Sequence, residues 1–126
     1  MAQHGGERAA TGRRGEDAAL RRYALAGYVL LARNWRCRLG ELDLVLARGR
    51  TLVVCEVKAR RAGANAGPFE AVDHRKRGKL RALAEAFLAA ESGSPRVARL
   101  TEVRFDVASV TLSEAGPHVH VFEDAF

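Results

Sequence analysis

The spacing of apolar positions along the chain predicts a single domain of the α/β class. Residues 11–26 place leucine, tyrosine and alanine at helical intervals, and residues 70–91 repeat that pattern in a second helix. The remaining apolar runs are short and rich in leucine and valine, which is typical of strands. These predicted strands are residues 28–34, 42–47, 52–57, 103–112 and 118–122. The predicted order is therefore α-β-β-β-α-β-β.

Two segments show no such periodicity. Residues 1–10 are polar and predict a disordered basic tail, so the single domain is expected to span residues 11–126. Residues 60–68, with the sequence RRAGANAGP, are rich in glycine and alanine and predict a mobile loop. The sequence shows neither an internal repeat nor a linker between domains.

The sequence GELDLVLARGRTLVVCEVKAR, which begins at Gly40, places an acidic residue in each of the two central strands. A two-residue loop with glycine in its first position is typical of a type II′ hairpin, so Gly49 is expected to begin the turn. A three-residue loop would change the register. The two-residue loop gives four pairs on one face of the sheet: Asp43 with Glu56, Glu41 with Lys58, Val45 with Val54, and Ala47 with Leu52.

An opposed pair of carboxylates needs a partner. Such side chains lie about 5 Å apart, and like charges at that distance destabilise a sheet. Asp43 and Glu56 therefore predict a site for a divalent cation, because Mg²⁺ binds one or two carboxylates together with water and phosphate oxygens. Lys58 lies on the same face, where it can orient a water or stabilise charge on a phosphate. The opposite face is expected to be apolar and to carry the hairpin leucines Leu42, Leu44 and Leu46.

Each predicted helix carries one charged residue in line with its apolar stripe. Glu16 extends the stripe of the first helix and Lys76 extends that of the second, both near the N-terminal ends of the predicted helices. A charged side chain directed at a core costs free energy unless it has a partner. We therefore expect both side chains to approach the sheet.

The composition and net charge indicate which binding partners and which cellular compartment suit this protein. The 126 residues are 48% hydrophobic, enough for one compact core, and the net charge of +6 with a pI near 10.1 favours a polyanion such as nucleic acid. Only 6% of residues are Phe, Trp or Tyr, which argues against a stacking platform for single strands. The sequence shows no signal peptide and no apolar run of membrane-spanning length, and Cys37 and Cys55 form no CxxC motif. These features predict a protein of the reducing cytoplasm without a membrane partner.

A resemblance to a known family rests on five stretches of the chain. Glu16 on a helix, GELD ending at Asp43, and the sequence Glu56-Val57-Lys58 resemble the active-site pattern of the PD-(D/E)xK nuclease superfamily. Within that superfamily the chain is similar to the YraN-like family of small bacterial proteins, which is related to archaeal Holliday junction resolvases. The matching stretches are GRRGEDAA, GYVLLARNWR, GELDLVLA, VCEVKAR and RFDV.

The resemblance implies a restriction-endonuclease-like fold, with a mixed sheet of about five strands flanked by helices. It also implies phosphodiester hydrolysis that depends on Mg²⁺ or Mn²⁺. By this resemblance Asp43 and Glu56 correspond to metal ligands and Lys58 corresponds to the catalytic lysine. Glu16 takes the place of an additional helix acid that holds a second metal or its waters. The proline that usually precedes the first acid of the motif is replaced here by Leu42.

The expected function is therefore a DNA endonuclease that acts on branched or processed DNA. Junction resolution requires two symmetric cuts, so a homodimer is expected if that activity is present. The alternative is a non-cleaving nucleic-acid-binding or assembly module that keeps the fold, and a basic protein that binds RNA or an acidic partner is a third option. The expected contacts to the DNA backbone are Arg60, Arg61, Arg75, Lys76 and Lys79.

The site residues also have structural alternatives. Asp43 and Glu56 could be ordinary solvated acids at an exposed sheet edge, and Lys58 could be an ion-pair partner of Glu41. Glu16 could be a first-turn acid that interacts with the helix dipole.

Several other residues are assigned to structure rather than to chemistry. Asp106 is expected to form a structural ion pair, and His118 and His120 are expected at the surface of an edge strand. The run HRKRGK, residues 74–79, is either a solvated basic face or a phosphate contact.

Overall fold

The computed structural model describes the backbone of residues 2–63 and 74–125 and the side chains of residues 9–63 and 76–125. Within these ranges five strands, two long helices and one short helix follow one another. In chain order they are α1 (Ala2–Leu25), β1 (Val29–Cys37), β2 (Gly40–Arg48), β3 (Thr51–Arg61), α2 (His74–Ala90), α3 (Pro95–Ala98), β4 (Glu102–Ser113) and β5 (Gly116–Phe122). This order confirms the predicted α-β-β-β-α-β-β succession, to which the structure adds the short α3.

The five strands form one mixed sheet in the order β1-β2-β3-β4-β5. β3 and β4 are parallel, whereas the other neighbouring pairs are antiparallel. A parallel pair needs a long crossover, and the segment that contains α2 and α3 supplies it. The result confirms the predicted α/β class, a mixed sheet flanked by helices, and is consistent with a nuclease-like α/β fold.

Each face of the sheet has its own apolar core. On one face Ala19 and Tyr23 of α1 pack in a cluster with Val53 of β3. On the other face Phe87 of α2 packs in a cluster with Val54. These five side chains are at most 3% exposed. Because successive strand residues point to opposite faces, β3 is buried on both sides, which explains its continuous apolar run.

Two boundaries of the described elements differ from the prediction by more than three residues. α1 begins at Ala2 rather than at residue 11. β3 continues through Arg61 rather than ending at residue 57, because its last residues pair with β4 as far as Leu112. Paired but exposed polar residues at a strand end carry no apolar signal, so the sequence does not reveal them. Residues 2–10 belong to α1, where the sequence predicted a disordered tail.

Part of the second predicted helix and of the predicted loop lies outside the described residues. α2 is described from His74, so the predicted start at residue 70 is not covered. The same holds for the mobile loop from residue 64 onward, whereas Arg60 and Arg61 lie in β3. No helix in the described ranges is long and apolar enough to cross a bilayer.

α1 lies very close to the sheet at Gly15. A Cβ added at this position would collide with the Cβ of Ala59 in β3. Any other residue would therefore push the helix outward. The glycine allows its neighbour, Glu16, to lie against the strands.

Asp106 anchors the centre of the molecule through a buried ion pair. It is 0% exposed, and Arg104 donates to its two carboxylate oxygens at 2.9 and 2.8 Å. The Tyr23 hydroxyl donates to it at 2.8 Å, and the backbone N–H of Asp124 donates at 3.0 Å. Burial, reinforced by the nearby thiol and carboxylate, raises the pKa of Tyr23. The structural ion pair predicted for Asp106 is therefore confirmed, and it ties α1 to β4 and to the end of the chain.

Candidate active site at the separation of two strands

Near its turn, the β2–β3 hairpin has the predicted register. Gly49 has a φ of +60°, as the first residue of a type II′ turn requires. Val45 pairs with Val54, and the last pair of the two strands is Leu44 with Cys55. The predicted two-residue loop is therefore confirmed.

Beyond that last pair the two strands separate. The carboxylate of Asp43 accepts a hydrogen bond at 2.8 Å from the backbone N–H of Val57, so a side chain takes the place of a ladder carbonyl. The predicted direct pairing of Asp43 with Glu56, and of Glu41 with Lys58, is wrong for this reason. The two acids still meet, but across a gap between strands.

In β1 and β2, next to this gap, the regular alternation of side chains between the two faces of the sheet is interrupted. Trp35 of β1 packs edge-on against Phe87 of α2, with 5.4 Å between ring centroids, and its partner Leu42 lies in the same core. Leu44 belongs to the core beneath α1. The expectation that Leu42 and Leu44 share a face is therefore wrong, because β2 turns over at the residue between them. In β1 the matching irregularity is Asn34, whose φ is +53°.

The environment of Asp43 disfavours its ionised form. Burial raises the pKa of this carboxyl, the N–H of Val57 lowers it, and the negative charges of Glu16 and Glu56 raise it further, to about 6. A buried carboxyl with a near-neutral pKa, surrounded by other acids, is typical of a functional site.

Glu56 has one engaged and one unengaged oxygen. Its side chain is 16% exposed, and Oε1 lies 2.5 Å from Nζ of Lys76 and 3.7 Å from Nζ of Lys58. Oε2 is buried and has no hydrogen-bond partner among the described residues. A buried polar atom without a protein partner costs free energy, so Oε2 is a place where a water or an ion would be stabilising.

Two lysines reach Glu56 from different elements, Lys58 from β3 and Lys76 from α2. Burial lowers the pKa of Lys76, but the ion pair with Glu56 outweighs this effect, so that the pKa is raised. Lys58 is 49% exposed and contacts Glu56 less closely. The alternative partner of Lys58, Glu41, is bound instead to Arg36 at 2.8 Å.

Glu16 approaches Asp43 from the face that α1 covers. It lies in the middle of α1, so the alternative of a first-turn acid at a helix dipole is wrong. Its Oε1 accepts hydrogen bonds from Nε of Arg33 at 3.2 Å and from the amide of Asn34 at 3.1 Å. Arg33 also binds Asp17 at 2.7 Å. Glu16 is therefore held beside Asp43 by the irregular part of β1.

The predicted DNA contacts belong to β3 and α2, the elements that also carry Glu56 and Lys76. Arg60 and Arg61 form the exposed end of β3, the strand that carries Glu56. Lys79 is exposed on α2 and passes close to the Cα of Gly40. The side chain of Arg75 lies outside the described residues.

Sequence reasoning missed three residues that position the site. Arg33 and Asn34 hold Glu16, and Gly15 brings it to the sheet. A glycine inside a predicted helix is a usable signal, because it costs about 1 kcal/mol relative to alanine and so suggests a packing constraint. Nothing in the local pattern reveals the left-handed backbone of Asn34.

Together, Asp43 and Glu56 offer the carboxylate oxygens that a hard cation such as Mg²⁺ binds. In the part of the chain that the structure describes, no three His, Cys, Asp or Glu side chains come together as a metal cluster. Mg²⁺ does not require one, since it commonly takes one or two carboxylates and completes its shell with water and phosphate. Asp43 and the unengaged Oε2 of Glu56 supply that type of donor.

The candidate site lies within a segment shared with known proteins. The family described as "Uncharacterised protein family UPF0102" matches residues 15–110. The chain is 44% identical to a UPF0102 protein of Acidothermus cellulolyticus over 133 aligned residues that span 100% of both chains. It is 47% identical to a UPF0102 protein of Kineococcus radiotolerans, covering 86% of this chain and 85% of the relative. A UPF0102 protein of Streptomyces coelicolor is 46% identical, with 89% and 84% covered.

Proposed function

The chain belongs to the UPF0102 family, and we propose that it is a metal-dependent endonuclease that hydrolyses phosphodiester bonds in DNA. This match confirms that the chain belongs to the YraN-like family, as the motifs predicted. The assignment of the chain to the PD-(D/E)xK nuclease superfamily is part of the proposal. One observation carries it. The buried Oε2 of Glu56 has no hydrogen-bond partner among the described residues, and the negative charge of Glu56 acts on Asp43, at a point where the sheet opens.

Asp43 and Glu56 would hold the cation, Mg²⁺ or Mn²⁺. Both are hard oxygen donors, and burial together with the nearby negative charges of Glu16 and Glu56 raises the pKa of Asp43, so a cation would favour its ionised form. When bound, the cation supplies Lewis acidity and neutralises charge at the scissile phosphate.

The remaining charged groups have separate roles in the proposal. Lys58 is half-exposed beside Glu56, where its ammonium group can orient the attacking water or donate to a phosphate oxygen. Lys76 balances the charge of Glu56 before substrate binds. Glu16 adds negative charge next to Asp43. Its carboxylate is expected to hold a second cation or the waters bound to that cation.

The DNA backbone would be held by cations close to the acids. Arg60 and Arg61 continue the strand that bears Glu56 and Lys58, so a phosphate chain that reaches the acids also passes them. Such contacts fix the position of DNA without reading its sequence. We propose branched or processed DNA as the substrate, acted on by two copies if junctions are resolved. We place the protein in the reducing cytoplasm, where the free thiols of Cys37 and Cys55 would persist.

A second candidate function is a DNA-binding or assembly module that does not cleave. It is favoured by the short contact of 2.5 Å between Lys76 and Oε1 of Glu56, since an ammonium group already occupies part of the place of a cation. In this case the acids and lysines would form a stable ion-pair network, and binding of DNA would persist in EDTA.

The test is cleavage of labelled linear, flapped, single-stranded and four-way DNA in Mn²⁺. Wild type would be compared with Glu56→Gln and with Glu85→Gln, which changes an exposed acid of α2. We expect cleavage by wild type and Glu85→Gln, and none by Glu56→Gln. Cleavage by all three proteins would indicate a contaminant. DNA binding without cleavage by any of them would favour the non-cleaving module.

A further inference from the structure

The sheet face that carries Glu56 continues beyond the core beneath α2. Val54 and Val107 of this face are buried in that core, but the next residues of β3, β4 and β5 extend past it. Neighbouring strands lie about 4.8 Å apart, so register partners form rows across the sheet. The three rows are Glu56–Val107–Phe122, Lys58–Ser109–His120 and Arg60–Thr111–His118.

These rows form a shallow trough. One wall consists of exposed cations of β3, Lys58 and Arg60, and the other consists of exposed rings of β5. The floor consists of the small hydroxyl side chains of Ser109 and Thr111 in β4, which are only partly exposed. Two strand spacings separate the walls, which makes the trough about 10 Å wide. Past Glu56 the rows contain two cations and no acid.

The ring wall offers aromatic surface to a ligand. The rings of His120 and Phe122 contact each other with 4.3 Å between centroids and an angle of 48°. Phe122 is 38% exposed. The low count of Phe, Trp and Tyr argued against a stacking platform, but that count omits histidine and says nothing about residues that gather on one strand.

We propose that this trough binds an unpaired nucleic-acid strand, with its phosphates along Lys58 and Arg60 and its bases stacked on His120 and Phe122. The inference rests on the proposed function in one respect, since it takes Asp43 and Glu56 as the reacting site to which the trough leads. It adds a substrate class, namely nucleic acid with a single-stranded segment.

Two properties of the trough favour an unpaired strand over a duplex or an acidic peptide. In a duplex the base faces are stacked on one another, whereas an unpaired base can stack on a protein ring. An acidic peptide would use the cations of β3 but would gain nothing from stacking on His120. Cations on one side and rings on the other match a chain with phosphates on one edge and bases on the other.

The test is binding of the full chain in EDTA, measured by fluorescence anisotropy. The probes are a labelled single strand of about 20 nucleotides, longer than the 4 to 16 nucleotides of common single-strand sites, and the same sequence as a duplex. We expect His120→Ala and Phe122→Ala each to weaken single-strand binding about tenfold, and to change duplex binding less than about twofold. The control is Leu25→Ala, an exposed apolar residue on α1 that lies outside the trough.

A gain-of-function variant keeps the test independent of lost stability. His120→Trp enlarges the ring at an exposed position, so we expect tighter single-strand binding and quenching of the added tryptophan emission by single strands but not by duplex. Melting curves confirm that each variant is folded. Equal losses for both probes, unchanged binding by the alanine variants, or unquenched emission would each overturn the proposal.

Because this test involves no cleavage, it separates the two proposals. Selective loss of single-strand binding in a protein that cuts no DNA would support the trough and refute the nuclease. Cleavage that requires Glu56, together with ring variants that bind single strands like wild type, would support the nuclease and refute the trough.

Discussion

At the scale of single residues, Asp43 is the acid of the site that forms no ion pair with a described residue. Lys76 binds Glu56, and Arg33 binds Glu16, but Asp43 lies between these acids and accepts its hydrogen bond from a neutral backbone N–H. The ionised form of Asp43 is thus destabilised in the folded protein. The proposed cation would offset this cost when bound.

Asp43→Asn should stabilise the metal-free protein at neutral pH. The pKa of Asp43 is raised from 3.8 to about 6, so the folded protein binds this proton more tightly than the unfolded chain. The stability gained from protonation is complete below pH 3.8 and is lost as the pH rises through about 6. We therefore expect the variant to be more stable than wild type by about 1–2 kcal/mol at pH 8, and to show no advantage at pH 3.5.

Urea denaturation in EDTA at the two pH values measures this difference. Glu85→Gln serves as the control, since it removes an exposed acid of α2 nine residues after Lys76. In a parallel melt, Mg²⁺ should raise the melting temperature of wild type and leave that of Asp43→Asn unchanged. A variant less stable than wild type at pH 8 would contradict the assigned cost of ionised Asp43.

Lys76→Gln should weaken the metal-free protein and strengthen its response to Mg²⁺. The substitution leaves the carboxylate of Glu56, which is 16% exposed, without its closest cation, at a cost of about 1 kcal/mol. It also removes an ammonium charge that opposes the binding of a cation to the same carboxylate. We expect a lower melting temperature in EDTA and a larger rise on adding Mg²⁺ than in wild type, with Lys79→Gln behaving like wild type. An equal rise in all three proteins would show that Lys76 does not compete.

At the scale of elements, the site depends on how closely α1 and β1 approach the central strands. Glu16 reaches the gap because Gly15 lets α1 lie against Ala59. It is then held by Arg33 and Asn34, at the point where β1 departs from regular alternation. One glycine and one left-handed residue therefore place a helix side chain beside a strand side chain.

The close approach of α1 predicts opposite effects for two glycines of the same helix. Gly15→Ala should destabilise the protein by about 1–3 kcal/mol, because the new methyl group collides with Ala59. Gly12→Ala should stabilise it by about 0.5–1 kcal/mol, because no atom lies within 4 Å of the added Cβ and alanine favours the helix. Urea denaturation of both variants measures the difference, and equal effects would contradict the contact.

At the scale of the whole molecule, the exposed arginines are divided between different elements of the fold. The net charge is +6, and two exposed arginines end the strand that carries Glu56. Elsewhere other arginines, such as Arg21 and Arg22 on α1, are equally exposed but lie on a different element. The position of the charge, rather than its total, should therefore determine DNA affinity.

DNA affinity should respond to the arginines of β3 and not to those of α1. Arg60→Gln with Arg61→Gln is expected to reduce the slope of log affinity against log salt by about 2, since each phosphate contact contributes about 1. Arg21→Gln with Arg22→Gln removes the same charge and should leave the slope close to that of wild type. Titrations over a range of NaCl concentrations measure both slopes, and equal reductions would indicate a diffuse charge effect.

The predicted hairpin register is right from Gly49 to Leu44 and wrong at Asp43. Turn chemistry and strand alternation are local, so the pairs next to the loop could be counted from the sequence. The pairing at Asp43 was lost because its side chain competes with the ladder for the N–H of Val57, a choice that alternation does not encode. The approach of Glu16 and Lys76 to the sheet could likewise be read from helical spacing, but their partners could not.

By itself, the sequence determined the order of helices and strands, the hairpin turn, the family and the set of acidic and basic residues at the site. These properties follow from spacing and motif, which extend over a few residues. Only the tertiary structure decided that the strands separate at Asp43, that Lys76 reaches Glu56, and that the rings of β5 face the cations of β3. Those relations join residues that are distant along the chain, and they depend on packing distances and on competition for hydrogen bonds.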